Sequence, residues 1–473
     1  MTAATVAAGD RRTASLPRTL LLIALVVAVA GSLGSPLITS VATTLRVSLA
    51  AAQWTLTVSL LVGAVATPVL GRLGTGARRR PVVLGTLGVI VFGSVLTVLP
   101  LSLPVLIAGR AAQGCGLALL PLLMAAAREH LDAARSAATI AMVSVASTVG
   151  VGIGYPLAGY LTDVGGIRAA YGAGLVGTVV ALAAAVHAFP DSRQESAPAP
   201  DPVASVLLGA GLLVLLFALG EVGLWQHHAV AAGTLVVAAV VLLVGWVLRE
   251  RALPAPLVDL RLLRHRAVAA ANAAMLIAGA GMYLLLSCIT RYVQTPHVAG
   301  YGFGLSTFAA GLFLVPFSVL GFLAGRVSPR LRAKVSAPTL LSGATVVVLA
   351  AFVVFASVRA TIAGPLVSMS LLGFGVGAFS AAMPAVILAV TPPRETASAM
   401  GVNQVVRSIG FSIGSTLSAL LLAASTPAGA VFPKEDGYAT AAWIGAAVTA
   451  LALALTATAR VGRRSAADSG NAS

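Results

Sequence analysis

Charge is scarce in this chain. Asp, Glu, Lys and Arg make up 9% of 473 residues, and lysine occurs only as Lys334 and Lys434. Soluble domains carry roughly a quarter charged residues, so a water-covered surface of this size cannot be built from this sequence. Cysteine occurs twice, as Cys115 and Cys288, both inside apolar runs, which excludes a disulfide framework. No segment between apolar runs is long enough for a soluble catalytic domain. The Gly-rich stretch GRLGTGARRR lacks the Lys-Ser/Thr ending of an ATP-binding loop. No enzyme activity, cofactor or metal site is therefore expected. Acids are missing where a membrane reading would most want them. All fourteen lie in tails, loops or span ends, with Asp163 and Glu221 coming closest to the membrane.

What is present is apolar. Hydrophobic residues make up 58% of the chain, with mean hydropathy +0.99 and a net charge of +16. A basic balance can signal nucleic-acid binding, but here the arginines sit in short clusters between apolar runs, and no nucleic acid is implied. The stretch Gln53–Pro81 sets the pattern. An apolar run long enough to cross a bilayer ends at Gly71, a loop carries Arg72, Arg78, Arg79 and Arg80, and the next run starts at Pro81. Arginine-rich short loops stay on the cytoplasmic side.

The runs predict an all-α polytopic membrane protein. After a polar, disordered tail (1–19) comes a first span continuing to about Thr44. Arg11-Arg12 and Ala28-Val29-Ala30 imitate a cleavable signal, but the apolar run passes the would-be cleavage site. Further spans fall at 52–71, 81–100, 104–127, 136–161 and 168–189, completing a six-helix half over 20–189. A linker (190–202), two extra spans within 203–248 and an amphipathic cytoplasmic segment (249–266) follow. Six more spans then fill 267–460, ahead of a tail at 461–473. With both termini inside, 23 of the Lys and Arg residues are cytoplasmic and 5 are outside. One missing span would abolish that bias. The expectation is fourteen spans in the plasma membrane, both ends cytoplasmic.

The halves repeat. GRLGTGARRR (71–80) recurs as GRVSPRLRAK (325–334). SAATIAMVSVASTVGVGIG (136–154) recurs as TASAMGVNQVVRSIGFSIG (396–414), so that Gly150 and Gly154 match Gly410 and Gly414. Secondary transporters are commonly built from such repeats, with the substrate between them.

On these residues the chain resembles the major facilitator superfamily, and within it the fourteen-span drug:proton antiporter family. The resemblance rests on Gln53-Trp54 with Pro68, Gly71, Arg72 and Leu73, on Arg110-Ala111-Ala112-Gln113-Gly114 in span four, on Gly150, Gly154, Pro156 and Gly159, and on PLVDLRLLRHR (256–266). It implies a monomeric exporter of a hydrophobic or amphipathic small molecule through the lipid bilayer, by alternating access and with proton coupling. It also implies that Gly71, Arg72, Arg78, Arg79 and Arg80 form a cytoplasmic gate, the alternative being simple topogenic charge. Gly150, Gly154, Pro156 and Gly159 would act as a hinge, the alternative being close packing alone. The family's acid after the loop leucine is replaced by Gly74-Thr75, and its first-span aspartate by the stretch Leu33-Gly34-Ser35-Pro36.

Two arginines lie within spans, where a charge is costly and marks a functional site by default. Arg110 lies on the order of 9 Å along its helix from Pro104, so it either serves the cavity or snorkels outward. Arg407 lies on the order of 16 Å into span thirteen, with Asn403 and Gln404 one turn away. Arg110, Gln113, Arg407, Asn403 and Gln404 are the substrate-site residues this reading names, with helix–helix hydrogen bonding as the alternative for the last two. With no embedded acid, the cavity is expected to be electropositive, to favour anionic substrates and to respond weakly to a pH gradient. Two other readings stay open: an uncoupled metabolite or lipid facilitator, and a transport-inactive scaffold or sensor.

Overall fold

The computed structural model describes residues 3–34, 36–99, 102–192, 195, 198–427, 430 and 432–470. Among these, every regular element is helical. The N-terminal half holds α1 (Ala3–Ser32), α2 (Ile38–Leu45), α3 (Leu49–Leu73), α4 (Arg79–Val98), α5 (Leu103–Gly114), α6 (Leu119–His130) and α7 (Ala133–Ala188). The insertion holds α8 (Pro202–Gly220), the short α9 (Val222–His227) and α10 (Ala229–Ala252). After the short α11 (Leu260–Arg264), the C-terminal half holds α12 (Arg266–Gln294), α13 (Thr307–Arg332), α14 (Ala337–Val358), α15 (Ala363–Leu388), α16 (Thr396–Ala424) and α17 (Glu435–Gly470).

Twelve helical segments among the described residues are long and apolar enough to cross a membrane. One of them, α7, counts 56 residues. That is about 84 Å of helix at 1.5 Å per residue, against a hydrocarbon core of about 30 Å. The helix breaks where the sequence places the turn between spans five and six, at Gly165 and Gly166. Gly166 takes φ +67°, a conformation glycine enters without steric cost.

Three local features depart from the sequence reading. The first span stops at Ser32 instead of running to Thr44, and α2 resumes the chain at Ile38. Gly34 and Pro36 sit in that break, and both oppose a continuous helix. At its other end α1 reaches back to Ala3, so most of the expected disordered tail is helical, in keeping with its alanine content. Span four is not uniform either. A tighter 3₁₀ segment over Cys115–Ala118 separates α5 from α6. A side chain at Gly114 would collide with the backbone of Ser59, so the close approach of α3 to this bend depends on glycine.

Each half packs as a bundle. In the first, α7 runs against α1 and α4, and α5 joins α4 to α3. In the second, α16 runs against α12, α13 against α15, and α14 and α12 against α17. The repeat seen in sequence is a repeat of packing. Gly150 and Gly154 let α7 close on Ala28, Val29 and Ser32 of α1, and Gly410 and Gly414 let α16 close on Leu276 and Ala280 of α12. The halves meet where α7 lies on α13 and α15 and where α3 and α6 lie on α16. The insertion covers one edge of this seam, with α8 packed on α10, on α3 and on α16. Apolar side chains such as Phe92, Val176 and Val206 remain exposed on the outer faces, as lipid-facing residues should.

Candidate functional site

Arg110 is 0% exposed and donates four hydrogen bonds. Its Nε reaches the Thr55 carbonyl at 3.1 Å, Nη1 reaches the Ala30 carbonyl at 3.1 Å and Gln113 Oε1 at 2.7 Å, and Nη2 reaches the Gly31 carbonyl at 3.1 Å. Ala30 and Gly31 belong to the last turn of α1, where carbonyls lack helical partners and carry the negative end of the helix dipole. Gln113 in turn donates to Ser94 Oγ at 3.0 Å and Thr97 Oγ1 at 3.3 Å, and Thr178 Oγ1 donates to Ser94 Oγ at 3.3 Å. The network ties α1, α3, α4, α5 and α7 together inside one half. Gly34 lies against the guanidinium so closely that any Cβ there would collide with it. Backbone carbonyls, not a carboxylate and not the interface, neutralise this arginine. Arg110 and Gln113 thus lie away from the four cavities described next, in place of the cavity position the sequence reading weighed.

Arg407 is differently placed. It donates from Nη1 to Ser147 Oγ at 3.2 Å, across the seam between halves, and from Nη2 to Gln404 Oε1 at 2.6 Å. Its guanidinium carbon stands 5.8 Å from the centre of the Phe411 ring, within cation–π range. Asn403 donates to Asn272 Oδ1 at 3.0 Å and so ties α16 to α12.

Four cavities follow one another along the seam. A vestibule of about 470 Å³ at the end of the seam nearest the arginine-rich loops is lined by Arg128, Ser136, Arg332 and Pro384 among apolar residues. Pro384 also borders a neck of about 20 Å³, formed by Met124, Met400, Asn403, Gln404 and Arg407. Met275, Ser380 and Arg407 are shared between the neck and a central cavity of about 120 Å³, which Tyr283, Phe317, Phe379 and Phe411 surround. Val151, Tyr283 and Leu286 are shared between that and an outer cavity of about 260 Å³, reached by Pro36, Thr39, Thr290 and Gln294. Arg407, Gln404 and Asn403 therefore stand together at the narrowest point. Among the residues lining these four cavities there is no Asp or Glu.

The arginine-rich loop divides its work. Arg72 reaches across the seam to Glu395 at 3.7 Å. Arg79 pairs with Glu129 and is buried, and Arg80 donates to the Val186 carbonyl at 3.0 Å and pairs at 3.4 Å with Asp191 in the linker that follows, so neither reaches the second half. Arg78 also has a partner. A Cβ added at Gly71 would come into ordinary contact with the Ala397 carbonyl of the other half. The stronger cross-seam cation is one the sequence reading left as loop charge. Arg128 donates to Thr396 Oγ1 at 3.0 Å and to the carbonyls of Leu388 and Thr391 at 3.0 and 2.8 Å. It thereby supplies donors at the C-terminal end of α15, where free carbonyls collect.

The glycine and proline residues of α7 separate by face. Gly150 and Gly154 touch α1 in their own half, with Ser32 Oγ donating to the Gly150 carbonyl at 2.8 Å. Gly152 meets Leu314 and Ser318 of α13, Pro156 meets Gly311 and Gly159 meets Phe308. Gly152, Pro156 and Gly159 face the other half; Gly150 and Gly154 do not. Ser147 was passed over in the sequence, yet the 260-residue offset that pairs Gly150 with Gly410 also pairs Ser147 with Arg407. That repeat register was the available signal for it.

Sequence comparison agrees with the fold. Residues 20–415 match the Major Facilitator Superfamily, and the chain belongs to it. It is thus a multi-pass membrane transporter by family. A Streptomyces coelicolor protein named "Probable actinorhodin transporter" is 28% identical over 83% of this chain and 70% of its own length. A cephamycin export protein of Amycolatopsis lactamdurans is 29% identical over 81% of this chain and 79% of its own. The crystal structure of a human organic anion transporter covers 94% of this chain and 99% of its own, with TM-score 0.68 at 14% identity, a likeness of fold alone.

Proposed function

We propose that the chain exports a hydrophobic or amphipathic small molecule from the cytoplasm by alternating access between its two halves. The observation that carries this reading is the line of four cavities along the seam, narrowed at Arg407, with Ala, Leu, Ile and Pro lining the vestibule and Met, Phe and Tyr prominent from the neck outward. The name of a cephamycin export protein and that of a probable actinorhodin transporter, relatives that align with more than four-fifths of the chain, support it. Arg72 and Arg128, whose partners lie across the seam, form the cytoplasmic gate in this reading, and Arg79 and Arg80 brace the loop that carries Arg72. Gly152, Pro156 and Gly159 form the surface on which the halves rock.

The fourteen-span arrangement belongs to the same proposal. It follows from dividing α7 at Gly165-Gly166 and adding α17 to the twelve apolar segments. The arginine bias then puts both termini in the cytoplasm of a plasma-membrane monomer. A cysteine at Arg80 or Arg332 should react only with cytoplasmic reagent and one at Lys434 only with external reagent. Arg79 is too buried to report, and Gly429, the natural outer position, lies outside the described residues. Accumulation of a panel of amphipathic dyes should be lower in cells making the protein than in cells without it. Equal accumulation of every dye would overturn the export reading.

A further inference from the structure

We infer that the substrate is an organic anion, recognised at the neck by Arg407 and driven outward by the membrane potential instead of by exchange for protons. The inference rests on the export reading above and specifies its substrate class. Three ionised side chains line the four cavities, Arg128, Arg332 and Arg407, and all are cations. Two of them stand at the cytoplasmic mouth, where an exported molecule enters. Arg128 is largely engaged with α15 and Thr396, while Arg332 lines the vestibule beside it.

Arg407 is the charge that a substrate must pass. A guanidinium carries five N–H donors, and Arg407 gives hydrogen bonds to two acceptors, the hydroxyl of Ser147 and the amide oxygen of Gln404. Both are neutral, and the residue is only 8% exposed. A buried cation with neutral partners and donors to spare is an anion site awaiting its ion. Its first partner is also the residue that must move. Ser147 is the repeat counterpart of Arg407 in the other half, so separation of the halves at this level breaks that bond and frees another donor. The aromatic wall of Tyr283, Phe317, Phe379 and Phe411 accepts the apolar body. An empty space of about 150 Å³ holds a benzene-sized molecule, so the 120 Å³ central cavity takes no more than about one ring before the halves part.

Energetics then remove the need for an embedded acid. In a cell that is negative inside, one negative charge leaving the cytoplasm is favoured by about fiftyfold in concentration ratio per 100 mV. Export of an anion can therefore proceed by charge movement alone, along a path with no carboxylate to take up a proton. A lipophilic cation would move against the same potential and past Arg407.

Purified full-length protein in proteoliposomes tests this, with a potassium–valinomycin potential and pH held equal on both sides. The probes are fluorescein and 8-anilinonaphthalene-1-sulfonate as anions and ethidium as cation. An inside-positive potential should drive anion uptake. Arg407→Gln should reduce it tenfold or more, Arg407→Lys should retain part of it, and Arg249→Gln, at an exposed pair with Asp201, should leave it unchanged. Thermal stability of Arg407→Gln close to wild type should accompany the loss. Ethidium uptake driven by a pH gradient and indifferent to Arg407→Gln would overturn the inference and leave the export reading standing. Anion uptake equal in wild type and Arg407→Gln would overturn the role of Arg407. Movement of none of the probes under any gradient would overturn the export reading together with the inference.

Discussion

Arg110 and Arg407 carry the same charge in the same low-dielectric setting, and the protein treats them in opposite ways. Arg110 is enclosed by carbonyls from α1 and α3 and by Gln113, all within one half. Arg407 stands on the seam with two neutral partners, one of them in the other half. An arginine whose donors end on backbone of its own bundle holds that bundle together. An arginine left short of acceptors at a joint between bundles is available to something that enters there. Position in a span does not distinguish the two; the partners do.

Removing the guanidinium of Arg110 should therefore have the largest effect. Arg110→Gln leaves carbonyls of Ala30, Gly31 and Thr55 without their donor, each costing roughly 1–3 kcal/mol when buried, and opens a space beside Gly34. A loss of about 3 kcal/mol or more is expected from three such carbonyls together. That is a large share of the 5–15 kcal/mol typical of folded domains. Thermal unfolding in detergent should show a much lower midpoint, or the variant should fail to accumulate. The same assay on Arg407→Gln should give a change of about 1 kcal/mol or less. Equal destabilisation by the two variants would erase the comparison.

The α7 glycines extend it to apolar positions. Gly150→Leu pushes a side chain into the backbone of Ala28 within the first half, and overpacking of this kind costs about 1–3 kcal/mol. Gly152→Leu pushes instead against Leu314 and Ser318 of the other half. The first should lower stability, and the second should leave the bundle intact while slowing transport at least tenfold. Wild-type transport by Gly152→Leu would show that the halves do not need this approach.

How much of this was readable in advance follows from the range of the interactions. The long apolar helices, the arginine-bearing loops between them and the repeat were legible because apolar runs and arginine clusters are local features. Arg407, Gln404 and Asn403 were legible as a group because helical spacing puts them on one side of α16. Arg110 was recognised as unusual, but its role was not legible. The break that exposes the α1 carbonyls and the helix whose arginine fills them are about eighty residues apart. Arg128 looked like ordinary loop charge for the same reason, since its partners lie more than 250 residues away. Glu250 falls in the polar segment 249–266 by sequence, yet it is 2% exposed and accepts a hydrogen bond from the Val258 amide at 2.7 Å. The linker folding back onto α10 is what buries it, and composition carries no sign of that.

The smallest expected effect separates ion pairs that cross the seam from those that do not. Arg72 and Glu395 join the halves at 3.7 Å with side chains 8% and 18% exposed, whereas Arg80 and Asp191 join the first half to the linker after it with side chains 32% and 79% exposed. Exposed pairs contribute about 0–1 kcal/mol, and partial burial raises that modestly. Glu395→Gln should therefore shift the balance toward an open cytoplasmic gate by on the order of 1 kcal/mol, or about fivefold. A single cysteine at Ala141 in the vestibule, with Cys115 and Cys288 replaced, can report this through its rate of labelling by a cytoplasmic reagent. Glu395→Gln should raise that rate about fivefold, Arg72→Gln should match it, and the double variant should add nothing, since both remove one interaction. Asp191→Asn should leave the rate unchanged. Equal acceleration by Asp191→Asn and Glu395→Gln would mean that the loop acts only through its total charge and that Arg72 is no latch.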